Sequence, residues 1–278
     1  MTHPINRVAL VISDVDGTLL DESKHLTPGA PAAVQRLYAA GIRFTLASAR
    51  PPDLVRELVR TLQVREPVAC FNGALIVSPN ETVLHKLPML PADAQLVADR
   101  IVRDGFDLWV WTDREWYVTN PSGPHVSHHE ALMGQRASLL TTRDLSQFEV
   151  LKLVGVTDDF DALARAEGEM TQMGCTSISA TRSSPYYLDV TDANANKGSV
   201  VVNLSEMLQI PAAHIATIGD MITDTLMFRK SGISIAMGNA FDDVKALATN
   251  VTRSNEEDGF AFAMDKYVLA AQPPSNTD

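Results

Sequence analysis

The chain has 278 residues, enough for one large or two modest domains with a full core. Hydrophobic residues make up 45% and charged residues 21%, the balance of a soluble globular protein. The net charge of −11 argues against nucleic acid as the main partner, and no apolar run approaches the ~20 residues of a membrane span.

The two cysteines, Cys70 and Cys175, form neither a closely spaced ligand motif nor a disulfide framework. The start, MTHPINRVAL, lacks the charged, apolar and small-residue regions of a signal peptide. Reduced thiols and a cytoplasmic location are the expectation.

Val8 to Val15 reads as a buried strand. Thr27-Pro28 predicts the cap and start of a helix through Val34, Leu37 and Tyr38, closed by Gly41. Ile42 to Ala47 is a second strand. Pro51-Pro52 opens a second helix, with apolar residues at 54, 55, 58, 59 and 62 on one face. Val68 to Phe71 is a third strand, and the βαβαβ order predicts a parallel sheet.

The middle of the chain changes character. A helix follows at 91–105, then two alternating segments, FDLWVWT and WYVTN, whose spacing signals a hairpin. Trp109 and Trp111 share one face of the first, and Trp116 can pair with them across the turn. An irregular, histidine-rich stretch at 120–147 precedes a strand EVLKLVGV, a helix at 158–174, and strands TSISATR and YYLDVT. An antiparallel sheet with helices on one face is expected. Helices and strands then alternate again: a helix at 197–208, a strand at 214–219, a short helix near Leu226, a strand at 233–237, and helices at 241–248 and from Gly259. The tail QPPSNTD reads as frayed. The fold class is therefore α/β, a Rossmann-like parallel sheet from residues 1–84 and 189–278 with an α+β cap inserted at 85–188.

In an open parallel sheet, chemistry collects beyond the carboxyl ends of the strands. Those ends carry Asp14 and Asp16 in VISDVDGTLL, Ser48-Ala49-Arg50, Asn72-Gly73, and Gly219-Asp220 with Asp224 following. Lys197 opens a helix start, where a cation opposes the helix dipole. Clustered carboxylates at a strand end are costly unless neutralised, and hard oxygen donors suit Mg²⁺. A carboxylate can also attack phosphorus, and a second one two residues on can move the proton.

Taken in order, VISDVDGTLL, LASARP, Lys197 in NANKGSVV, and GDMITDTLMF resemble the four motifs of the haloacid dehalogenase superfamily. FNGALI, IAMGNA and VTRSNEEDG narrow the resemblance to its Cof-type sugar-phosphatase branch, and the middle segment resembles that branch's C2B cap. The resemblance implies Asp14 as nucleophile and metal ligand, and Asp16 as general acid/base with its carbonyl on the metal. It implies Ser48, Ala49, Lys197 and Thr223 at the phosphate, and Asp220 and Asp224 at the Mg²⁺ site. Arg50, Asn72, Gly73, Lys152 and Asn239 are candidates for substrate contact or support.

Two positions depart from the family pattern. Ala49 stands where glycine is usual, so a left-handed backbone there would be strained. Thr223 replaces an asparagine and offers one donor rather than two, which weakens phosphate binding. His125, His128 and His129 would share a helical face and could form a zinc site, or serve as cap surface. Lys152 reads either as a solvent-facing lysine or as one aimed at the site. Asn72-Gly73 and Gly238-Asn239 read equally as structural turns. The expected activity is hydrolysis of a small phosphorylated metabolite, with a phosphosugar mutase or a phosphate-metabolite binding protein as alternatives. The sequence carries no signal for oligomeric state.

Overall fold

Leu10, Val11 and Ile12 are fully buried on both faces, the condition of a strand in the middle of a parallel sheet. The structure is a computed structural model that describes residues 8–172 and 176–270; Cys175 and the tail from residue 271 lie outside the described residues. In chain order the elements begin β1 (Leu10–Ser13), α1 (Ala30–Ala39), β2 (Arg43–Leu46), α2 (Pro52–Thr61), β3 (Val68–Cys70), β4 (Leu75–Val77) and β5 (Val83–Lys86). They continue α3 (Pro91–Arg103), β6 (Asp107–Trp111), β7 (Trp116–Val118), α4 (Val126–Met133), β8 (Ser138–Leu139), β9 (Lys152–Val156), α5 (Phe160–Gln172), β10 (Ile178–Ser184) and β11 (Tyr187–Asp192). The last are α6 (Lys197–Leu208), β12 (Ile215–Gly219), α7 (Thr225–Phe228), β13 (Ile233–Ala236), α8 (Asp242–Lys245), β14 (Asn250–Val251) and α9 (Gly259–Ala263).

The parallel sheet has the order β14-β13-β12-β1-β2 and draws strands from both ends of the chain, as the α/β reading requires. Its three adjacent strands β12, β1 and β2 end together. They deliver Asp220, Asp14 and Ser48 to one crevice, and the Asp14 N–H continues the ladder onto the Ile218 carbonyl at 3.0 Å. A second sheet of six strands, β10-β11-β9-β6-β7-β8, comes from the middle of the chain. It is antiparallel except for the β7–β8 pair, which runs parallel. The tryptophan expectation holds: Trp111 lies opposite Trp116 and stacks on it at 5.2 Å, and Trp109 meets Trp116 edge-on. Phe71 from the first part of the chain packs against Trp111 at 5.7 Å, so one apolar cluster links the two sheets. Each fully buried aliphatic or aromatic side chain there contributes ~1.5–3 kcal/mol relative to exposure.

Three local expectations need correction. The third strand meets the parallel sheet only at its edge. A single parallel bridge, Ala47–Ala69, with the Ser48 N–H on the Ala69 carbonyl at 2.9 Å, joins it just beyond β2, and β3 makes its ladder antiparallel with β4 in a three-stranded sheet with β5. The antiparallel pairing follows from the turn after Cys70, where Phe71, Asn72 and Gly73 all take positive φ (49°, 56° and 104°) and reverse the chain into β4. Glycine is needed at 73, because a Cβ there would come within 2.7 Å of Val200 Cγ2 on α6. Thr27 does not cap α1 with its side chain; Gly29 occupies the N-cap, and Thr27 contributes its carbonyl to the Ala30 N–H at 3.1 Å. The irregular stretch at 120–147 contains a helix, α4, entered through His125 at φ 63°. β4, β5 and β14, two to four residues long, went unforeseen.

Candidate active site

Asp14 lies one residue beyond β1 and is 5% exposed. Lys197 Nζ sits 2.5 Å from Asp14 Oδ1 and 2.5 Å from Asp224 Oδ1. α6 presents that lysine at its first position, and Asn196 caps the helix by accepting the Ser199 N–H at 3.1 Å. The ion pair outweighs the unfavourable placement of a cation at a helix start. Asp224 is fully buried, and its Oδ2 accepts the Asp220 and Met221 N–H groups at 2.9 and 2.8 Å.

Asp14, Asp220 and Asp224 each offer a carboxylate oxygen within 4.8 Å of the others. One lysine cannot balance three carboxylates. Burial first, then repulsion from Asp224 and Asp220, raises the Asp14 carboxyl to about 8 against the pull of Lys197. Burial and Asp224 likewise raise Asp220 to about 6. Buried, hard, mutually repelling oxygens fit a divalent cation that takes oxygen ligands. Among the described residues this is the one such cluster of acidic, histidine or cysteine side chains.

The loop after β1 is tied to this cluster from behind. Asn239 Nδ2 donates to the Gly17 carbonyl at 2.9 Å and approaches Asp220 Oδ2 at 3.4 Å, while its Oδ1 accepts the Asn255 N–H at 3.0 Å. Asn255 donates to the Leu20 carbonyl at 2.9 Å. Gly17 has φ 76°, and a Cβ there would overlap the Asp220 carboxylate. Asn239 is thus beside the acidic cluster as a support. Asn255 and the role of Gly17 went unread, because the contacts of Asn255 with Leu20 and of Gly17 with Asn239 each span more than 200 residues of sequence.

Asp16 is held in a cation clamp. Arg50 Nε and Nη2 donate to Oδ2 and Oδ1 at 2.8 and 2.7 Å, and Lys24 Nζ reaches Oδ1 at 2.8 Å. Burial pushes this carboxyl up, but the Arg50 and Lys24 contacts outweigh it and bring it down to about 2. Ser48 is 1% exposed, and its Oγ accepts the Arg50 N–H at 3.1 Å. Ala49 is not among the residues with positive φ, so the strain considered for an alanine at this position does not arise.

Asp14, Asp16, Ser48, Ala49, Arg50, Asn72, Lys197 and Thr223 line one cavity of about 360 Å³. Lys152 lines it too, from β9, and is not solvent-facing: it is 8% exposed and pairs with Asp189 at 2.5 Å. Asp189 went unread, although an acid in the buried phase of the strand YLDVTD was an available signal. Gly73 does not line the cavity; it supports the turn that places Asn72 there. The three histidines diverge. His125 pairs with Asp158 at 2.8 Å and stacks on Tyr186, His128 is exposed, and His129 sits in a box of Trp109, Trp111 and Trp116. They form no zinc site among the described residues.

Residues 11–264 match the haloacid dehalogenase-like hydrolases. The chain belongs to this family. Among its relatives, the 5-amino-6-(5-phospho-D-ribitylamino)uracil phosphatase YwtE of Bacillus subtilis is 25% identical over 279 aligned residues, spanning 91% of this chain and 96% of the relative. The HMP-PP phosphatase of Cronobacter sakazakii is 27% identical over 233 residues, 84% of this chain and 85% of the relative. A haloacid dehalogenase-like hydrolase from Bacteroides thetaiotaomicron superposes with a TM-score of 0.81 at 24% identity, covering 93% of this chain and 99% of that one. A subclass IIB sugar phosphatase also gives 0.81 at 21% identity, covering 95% and 100%. These two structures share the fold. Among the described residues no helix is long and apolar enough to cross a membrane.

Proposed function

We propose that this haloacid dehalogenase-family protein is a Mg²⁺-dependent hydrolase of small phosphate monoesters, sugar phosphates or related metabolites. The observation that carries this reading is the convergence of Lys197, Asp220 and Asp224 on Asp14 at the cavity lined by Ser48 and Thr223. The phosphatase names of the Bacillus and Cronobacter relatives support it.

Asp14 Oδ attacks phosphorus, and the bond from phosphorus to the leaving oxygen breaks. Asp16 gives its proton to that oxygen, then accepts one from the water that attacks the aspartyl-phosphate and releases inorganic phosphate. To act as an acid, Asp16 must first leave the Arg50–Lys24 clamp and take up a proton from solvent. Ser48 and the Ala49 N–H hold the transferring group, Lys197 offsets its charge, and Thr223 contributes a single hydroxyl. Asp14, Asp220 and the Asp16 carbonyl would hold the metal, with Asp224 fixing the cluster from behind. When bound, the metal neutralises charge on the phosphoryl oxygens.

The test is release of phosphate from p-nitrophenyl phosphate with and without Mg²⁺. Activity that survives chelation, or survives Asp14→Asn, contradicts the reading. Rapid release of inorganic phosphate separates a hydrolase from a mutase, and tight binding without turnover marks a binding protein.

A further inference from the structure

Six buried side-chain polar atoms among the described residues have no hydrogen-bond partner, and three of them, His129 Nε2, Ser184 Oγ and Asp189 Oδ1, belong to residues lining the cavity in front of Asp14. Buried polar groups are paired as a rule, so unmatched capacity gathered in one cavity points to a ligand that supplies the match. Asp189 is 6% exposed, and only its Oδ2 is engaged, by Lys152 at 2.5 Å. Lys152 keeps donors beyond the one used, since an ammonium has three.

The charges on this wall are already balanced. Each of the five lysines and arginines lining the cavity faces a carboxylate: Lys24 and Arg50 on Asp16, Lys152 on Asp189, Lys197 on Asp14 and Asp224, and Arg182 on Glu167 at 2.8 Å. A second anionic group lodged beside Asp189 finds Lys152 already paired and meets the Asp189 carboxylate.

We infer that Asp189, Ser184 and His129 form the leaving-group subsite, and that it selects an uncharged, hydroxyl-bearing leaving group and refuses one carrying a second negative charge. The inference rests on the phosphatase reading above and specifies which substrates it accepts. A hydroxyl suits this wall because it donates to Asp189 Oδ1 and accepts from Lys152 at once. Burial, with the charge of Lys152 nearby, lowers the His129 imidazole to about 4, so at neutral pH it offers one donor and one acceptor. A site whose buried polar groups expect a hydroxyl discriminates strongly against analogues that leave them unmatched.

Sorbitol 6-phosphate and 6-phosphogluconate differ at the far end of one chain, a hydroxymethyl against a carboxylate. For the wild-type protein, kcat/KM with sorbitol 6-phosphate is expected to exceed that with 6-phosphogluconate by at least about tenfold. Asp189→Asn leaves the Lys152 charge unopposed, so the ratio should collapse or invert, chiefly through a lower KM for 6-phosphogluconate. Ser184→Ala, a milder change, should lower kcat/KM for sorbitol 6-phosphate about threefold or more relative to p-nitrophenyl phosphate. If the wild type cleaves p-nitrophenyl phosphate yet treats the two sugar-derived esters alike or prefers the acid, the subsite is refuted while the phosphatase reading stands. If it cleaves none of the three, both fall together.

Discussion

Arg50 grips both carboxylate oxygens of Asp16, at 2.8 and 2.7 Å, with Lys24 adding a third contact at 2.8 Å. The clamp holds ionised the group that the proposed chemistry uses to deliver a proton. In the proposed reaction substrate binding must therefore loosen it; the Arg50 N–H also donates to Ser48.

The clamp has a titration signature. The Asp16 carboxyl lies at about 2, below its ordinary 3.8, so the pairing contributes stability above pH 4 and loses it as pH falls through 2. In Arg50→Ala the Asp16 carboxyl should rise by about one unit or more toward its ordinary value. Carboxyl-carbon NMR across pH 1 to 6 reads this directly. An unmoved Asp16 in the variant contradicts the clamp.

The acidic cluster has the opposite sign. Asp14 and Asp220 are raised to about 8 and about 6, so the metal-free folded state holds protons that the unfolded state has released above pH 4. Metal-free stability attributable to them falls as pH rises from 4 to 8. Mg²⁺ should displace those protons and stabilise the fold more strongly at pH 8 than at pH 5. Calorimetry in two buffers of different ionisation enthalpy at pH 7 should show proton release on Mg²⁺ binding. Binding without proton release contradicts the raised values.

Lys197 is the counter-charge that keeps Asp14 and Asp224 buried together. Removing one partner of a buried ion group costs ~3–5 kcal/mol, and protonation of Asp14 softens this toward the lower end. Lys197→Met should therefore destabilise the metal-free protein by about 3 kcal/mol in urea denaturation and lower kcat by about 10²–10³. A variant of wild-type stability and turnover rules out the counter-charge role.

Much of this site was legible because its parts are local. Asp14, Ser48 and Asp220 each follow a strand, and three adjacent parallel strands carry them to one crevice. Lys197 was legible as a cation at the wrong end of a helix. Lys24, Asn255 and the Gly17 close approach were not, because each is defined by a tertiary contact rather than by its neighbours in sequence. The fate of the third strand hid for another reason. Its hydropathy is that of a buried strand in either sheet, and it is the left-handed turn at Phe71–Gly73 that folds β4 back onto it. β4 and β5 are too short for periodicity to reveal.

Gly17 gives a test of the supporting loop. Gly17→Ala forces a Cβ against the Asp220 carboxylate and strains a backbone at φ 76°. Mg²⁺ affinity should fall about tenfold, the size of effect seen for groups that orient metal ligands. Asn239→Ala, which frees the Gly17 carbonyl and Asp220, should weaken it in the same direction without the backbone strain. Unchanged Mg²⁺ titrations for both variants contradict this support.

The central claim is that Asp14 itself carries the phosphoryl group. Acid-quenching the enzyme during turnover of p-nitrophenyl phosphate, followed by peptide mass spectrometry, tests it most directly. The expected result is the mass of one phosphoryl group on the peptide containing Asp14, sited at Asp14 and lost in Asp14→Asn. Turnover with no phosphorylated peptide, or with the label on another residue, contradicts it.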